Sequence, residues 1–158
     1  MLQRIQSVFL VLAALCAGLL FVLPLARYER ADQQQFTLTL TGLVTADATE
    51  VPDVALKLQP HLLCALLVAL FLVTVFFFKN RPRQVRLVRF AYLLAVLLIV
   101  ALWITHTSVQ AYLEQNGRAS EQLLPGFFLP FAAIVFGVLA ERSIKKDEAL
   151  VRSADRLR

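Results

Sequence analysis

Two cysteines, Cys16 and Cys64, and two histidines, His61 and His106, are the side chains whose types offer redox, metal or proton chemistry. A pair of thiols outside a membrane would make a redox centre, and imidazoles at a membrane face would ligate a haem or metal or exchange protons with a quinone. Their spacing points to plainer roles. No H-x-x-H, C-x-x-C or E-x-x-H combination occurs, and no phosphate-cradling glycine loop, nucleophile elbow or zinc signature is present. His61 and His106 are the candidates for holding a haem, quinone or lipid, but both read first as interfacial residues with wet tips. No cofactor or metal is expected.

The elements that would carry these residues are apolar. The 158 residues are 59% hydrophobic and 17% charged, against roughly 25% charged in ordinary soluble domains, and the mean hydropathy is +0.69. That composition places the chain in the membrane class. Four runs predict spans at 8–25, 62–78, 90–113 and 123–140, because about 20 apolar residues at roughly 1.5 Å each cross a bilayer core. The first run exceeds a signal-peptide core and lacks an A-x-A site after it, so it is expected to be retained. Pro125 suits the start of the last run and Pro130 is expected to bend it. Along these spans Cys16 and Cys64 differ in depth by about 12 Å, beyond the roughly 7 Å that a disulfide permits. "THTS" (Thr105 to Ser108) reads as a helix leaving lipid beside Trp103 and Tyr112.

Charge sets the orientation. Of the 16 Lys and Arg residues, twelve fall at the N-terminus, in loop 79–89 and in tail 141–158, and four fall in the other loops. The positive-inside rule then predicts both termini in the cytoplasm. The net charge of +5 is explained by this topology, and no nucleic-acid partner is expected. In the 35-residue external loop 26–60, "FTLTLTG" alternates Phe36, Leu38 and Leu40 with threonines, and "VALKL" (Val54 to Leu58) does so more weakly. A small two-stranded antiparallel pair is predicted there. Ala14 with Gly18, Ala65 with Ala69, and Ala133 with Gly137 have the i,i+4 spacing that lets helices approach closely. No span carries an ionisable residue at its centre, which argues against transport. The fold class expected is an all-α integral membrane protein, a four-transmembrane-helix bundle with both termini inside and a two-stranded β element outside.

The tail continues the last helical pattern, with Glu141 and Lys145, and Glu148 and Arg152, at favourable i,i+4 spacing. Together with the N-terminus and the basic loop it forms the expected partner or lipid-headgroup surface: Arg4, Lys79, Arg81, Arg83, Arg86, Arg89, Lys145, Lys146, Asp147, Glu148, Arg152, Asp155, Arg156 and Arg158. Its mixture of acids and bases suits a protein partner, and its bases also suit anionic lipid headgroups.

The opening "MLQRIQSVFL" and the ending "KKDEALVRSADRLR" resemble a domain-of-unknown-function family of small four-span bacterial inner-membrane proteins. The matching elements are Met1 to Gln6 and Lys146 to Arg158. The resemblance implies a cytoplasmic role for both ends and assigns no catalytic role to His61 or His106. The function expected is a non-enzymatic inner-membrane accessory or assembly subunit that docks through its cytoplasmic ends. The alternative is a small membrane protein binding haem, quinone or lipid at the outer helix ends.

Overall fold

The computed structural model describes residues 3–30, 34–45, 59–114 and 119–156, and their side chains between 5 and 78 and between 80 and 150. The expected strand at 54–58 lies outside the described residues, as do the side chains of Arg4, Lys79, Arg152, Asp155, Arg156 and Arg158.

Helix α1 (Gln3–Leu19) tightens at its end through short-range bonds such as Leu23 N to Leu19 O at 2.9 Å. Pro24 disfavours helical geometry in the residue before it, and the chain turns into strand β1 (Ala26–Arg30). Strands β2 (Gln35–Leu38) and β3 (Leu43–Thr45) follow, joined by a turn in which Thr39 Oγ1 donates to Gly42 O at 2.8 Å. Helix α2 (Pro60–Phe76) opens on a proline, where the missing N–H costs nothing. It passes through a 3-10 turn (Phe77–Lys79) into α3 (Arg81–Glu114). Strand β4 (Ala119–Leu123), a 3-10 turn (Pro125–Phe128) and α4 (Leu129–Arg156) complete the chain.

The sheet is antiparallel in the order β3-β2-β1-β4. Tyr28 stands opposite Phe36 on one side and Glu121 on the other. Its period-2 alternation buries Ala26 and Tyr28 of β1 and Phe36 and Leu38 of β2. Because α1 and α3 end next to the sheet while α2 and α4 begin next to it, the sheet caps one end of all four helices. The opposite end holds the starts of α1 and α3 and the ends of α2 and α4, and hence most of the basic residues.

The helices pack in a ring, α1 on α2 and α4, and α3 on α2 and α4. Small residues fill the seams. Ala13, Ala14, Ala17, Ala91, Ala95, Ala133 and Ala140 are buried, and Cys64 Sγ approaches Ala17 O at 3.2 Å across α1 and α2. A Cβ on Gly137 would sit 3.5 Å from the Phe71 ring, so that ring packs where the side chain is missing. Leu10, Leu67, Phe71, Leu98 and Leu102 are buried beside them, while other large apolar residues point outward, among them Val11, Leu15, Leu66, Phe76, Leu93, Leu97, Phe131 and Val135.

The expected all-α bundle of four transmembrane helices is corrected on three counts. The described residues form four helices plus a four-stranded sheet, not a two-stranded accessory. Among the described residues, only two helical stretches are long and apolar enough to cross a membrane, α3 and Pro125–Leu150. The first expected span loses its last six residues to the turn that precedes the sheet, and α1 and α2 have 17 residues each, about 26 Å against a hydrocarbon core of roughly 30 Å. The basic segment 79–89 is helical from Arg81, because the Asn80 carbonyl accepts from Arg83 N and Gln84 N and Pro82 falls in the first turn, where it is harmless. Pro130 likewise falls in the first turn of α4 rather than mid-helix. Ala65 and Ala69 are exposed and make no seam.

Candidate functional site

The register of β1 and β4 and one turn of α3 assemble the most organised polar cluster at the sheet end. Tyr28 and Glu121, directly opposite across the sheet, share its inner face and meet His106 on α3. Tyr28 Oη lies 2.5 Å from His106 Nδ1 and Glu121 Oε2 lies 3.2 Å from His106 Nε2. A neutral imidazole satisfies both contacts in one tautomer only: the phenol donates to Nδ1, and Nε2–H donates to the carboxylate. Aromatic rings enclose the imidazole. Tyr28 stacks on it at 5.7 Å, and Trp103 and Phe127 lie 5.8 and 6.0 Å away. The side chain of His106 is 4% exposed, whereas that of Glu121 is 42% exposed, so the chain of bonds runs from a dry phenol to a wet carboxylate.

Burial, and then the negative charge of Glu121, push the Tyr28 phenol well above the ordinary tyrosine range. It is therefore a protonated donor at any physiological pH. Tyrosine in the unfolded chain ionises near pH 10. The contribution of Tyr28 to stability is thus complete below about pH 10 and is lost as the pH rises from there toward the folded value. An alkaline unfolding titration in mild detergent is expected to show this loss above about pH 10, weakened in Tyr28→Phe. At neutral pH that substitution removes one buried hydrogen bond and lowers stability by about 1–2 kcal/mol.

The geometry fastens the sheet to α3. Both His106 nitrogens are engaged, so the ring has no free lone pair for a haem iron. His61, the other candidate, sits in the first turn of α2 with Nδ1 buried and unpartnered among the described residues. The structure does not bring it into the His106 cluster. Cys16 and Cys64 are free thiols, but Cys64 Sγ lies 3.2 Å from the carbonyl of Ala17, next to Cys16, so the expected 12 Å difference in depth is not found; no group of three His, Cys, Asp or Glu side chains forms a metal site among the described residues. Sequence reasoning singled out His106 but missed Tyr28 and Glu121, whose connection depends on strand pairing alone.

At the basic end, the residues grouped as one surface divide into two sets. Arg81 pairs with Asp147 at 3.2 Å and also donates to its backbone carbonyl. Glu141 takes Arg89 Nε at 2.9 Å, the Tyr92 hydroxyl at 3.0 Å and Lys145 Nζ at 2.6 Å. Glu141→Ala removes the common acceptor of three donors from a buried position, and a loss of about 2 kcal/mol in thermal unfolding is expected. These bonds clamp the extension of α4 against α3. Arg83, Arg86, Arg142 and Lys146 remain exposed, and Glu148 lies beside them, partly buried. Two buried amides, Gln6 and Gln84, sit behind this end; Gln84 Nε2 donates to Thr74 O at 3.2 Å, and both Gln6 amide atoms are unpartnered among the described residues.

No curated protein matches the chain. Residues 2–157 match the family model described as a domain of unknown function, DUF4293, and with all but its first and last residues covered the chain belongs to that family.

Proposed function

We propose that the protein is a non-enzymatic, multi-pass accessory or assembly subunit of a bacterial inner-membrane complex, with both ends of the chain in the cytoplasm. One observation carries the membrane part: beyond the leucines and alanines that fill their core, the helices expose an outer belt of leucine, valine and phenylalanine. In water the hydrophobic effect drives large apolar groups inward, whereas in lipid that drive is absent and small residues are favoured at helix seams. Only 33% and 39% of the most apolar windows of α3 and Pro125–Leu150 are buried, unlike core helices of a soluble domain. In this reading α3 and α4 cross the bilayer with α1 and α2 packed beside them, and the sheet lies outside.

The docking part rests on how the basic end is built. Internal pairs absorb Glu141 and Asp147 and hold the α4 extension in place, which presents Arg142 and Lys146 as a fixed cationic face. Purification in mild detergent of the intact protein and of a version lacking Lys146 to Arg158 tests it. A specific partner retained by the first and lost from the second is expected; identical partner-free profiles would count against docking. The haem or quinone reading loses its best ligand because both nitrogens of His106 are occupied.

A further inference from the structure

We propose that a groove at the start of α3 binds the headgroup of an anionic phospholipid, an inference that rests on the membrane reading above. The groove has a volume of about 300 Å³ and is lined by Phe77, Arg83, Arg86, Leu87 and Phe90. Its two guanidinium groups differ from their neighbours on the same helix. Arg81 and Arg89 are neutralised by Asp147 and Glu141, while Arg83 and Arg86 are exposed and have no carboxylate partner among the described residues. Two arginines one helical turn apart present planar donors suited to a phosphate. The positive end of the α3 dipole acts in the same sense.

The other walls are apolar. Phe90 is 63% exposed and Phe77 37% exposed, and Phe76 and Phe78 are exposed beside them. A soluble phosphate would use the arginines and leave these rings in water. An acidic protein segment would use the arginines and supply no hydrocarbon for the rings. A phospholipid satisfies both halves: its phosphate meets Arg83 and Arg86, and the upper part of an acyl chain covers Phe77, Leu87 and Phe90. The site also falls at the junction of the apolar outer belt and the basic end, the depth at which a headgroup lies.

The test is native mass spectrometry of the full chain in mild detergent, titrated with phosphatidylglycerol, phosphatidylcholine or inorganic phosphate. Retention of phosphatidylglycerol over phosphatidylcholine is expected, undisturbed by inorganic phosphate. Arg83→Gln with Arg86→Gln should weaken it by about 30-fold, from two interfacial cations. Arg142→Gln, at the same end on α4, should change it little. The single variants Arg83→Lys and Arg86→Lys, which keep charge, guard against misfolding of the double variant. The inference is overturned if the double variant binds equally, if Arg142→Gln weakens binding as much, if inorganic phosphate displaces the lipid, or if only an acidic protein is retained by the groove. Release of the protein from membranes by alkaline carbonate would instead refute the membrane reading itself, which separates the two failures.

Discussion

Gly126→Ala is expected to lower stability by about 3 kcal/mol, at the upper end for forced overpacking. Gly126 follows Pro125 in the 3-10 turn that leads from β4 to α4 and is buried against the segment between α1 and β1. A Cβ there would collide with the carbonyl oxygen of Pro24 and lie 2.9 Å from its carbonyl carbon. Both obstacles are backbone, and the chain is tied on either side. Leu124 N donates to Leu25 O at 2.9 Å, and Leu25 N donates to Leu38 O at 2.8 Å. Relief therefore requires the start of α4 to move away from α1, along the seam that Ala13, Ala17 and Ala133 keep narrow. Thermal unfolding in mild detergent measures the loss, and Gly18→Ala, where a Cβ meets nothing within 4 Å, is the control expected to be near neutral.

His106→Ala should be costlier still than Tyr28→Phe, about 3–5 kcal/mol. It removes a ring packed among Tyr28, Trp103 and Phe127 and leaves the fully buried Tyr28 hydroxyl without its acceptor, so a cavity and an unsatisfied donor add. His106→Gln, which can still accept from the phenol, should restore part of the loss. Glu121→Gln should cost less than about 1 kcal/mol, because that carboxylate faces water. This ordering, with the sheet loosening before the helices separate, is readable by hydrogen exchange at β1 and β4. A haem-type absorption band abolished by His106→Ala would instead restore the cofactor reading.

Where a regular period had one solvent on each side, the fold was legible. Phe36 and Leu38 alternate with threonines and form β2, although its partners are β1 and β3. Strands β1 ("ARYER") and β4 ("ASEQL") carry too little apolar alternation to be seen; the β1–β4 pairing and the contact of Tyr28 with His106 bind them in place. The helical start of α3 was hidden because its arginines read as loop, although arginine is a good helix former. Glu141 and Lys145 were paired correctly from their spacing, whereas Arg81 and Asp147, 66 residues apart, were read as parts of an open surface. His106 stood out by type alone. Its partners lie 78 residues before it and 15 after it, and no local pattern relates the three.

Thiol labelling of single cysteines, placed in a Cys16→Ala, Cys64→Ala background in bacterial cells, probes the membrane placement most directly. Thr41→Cys, on the exposed turn of the sheet, should react with an impermeant reagent in intact cells, and Lys146→Cys, at the basic end, only after the membrane is opened. Lys146→Cys labelled in intact cells, or Thr41→Cys protected until permeabilisation, would contradict the account.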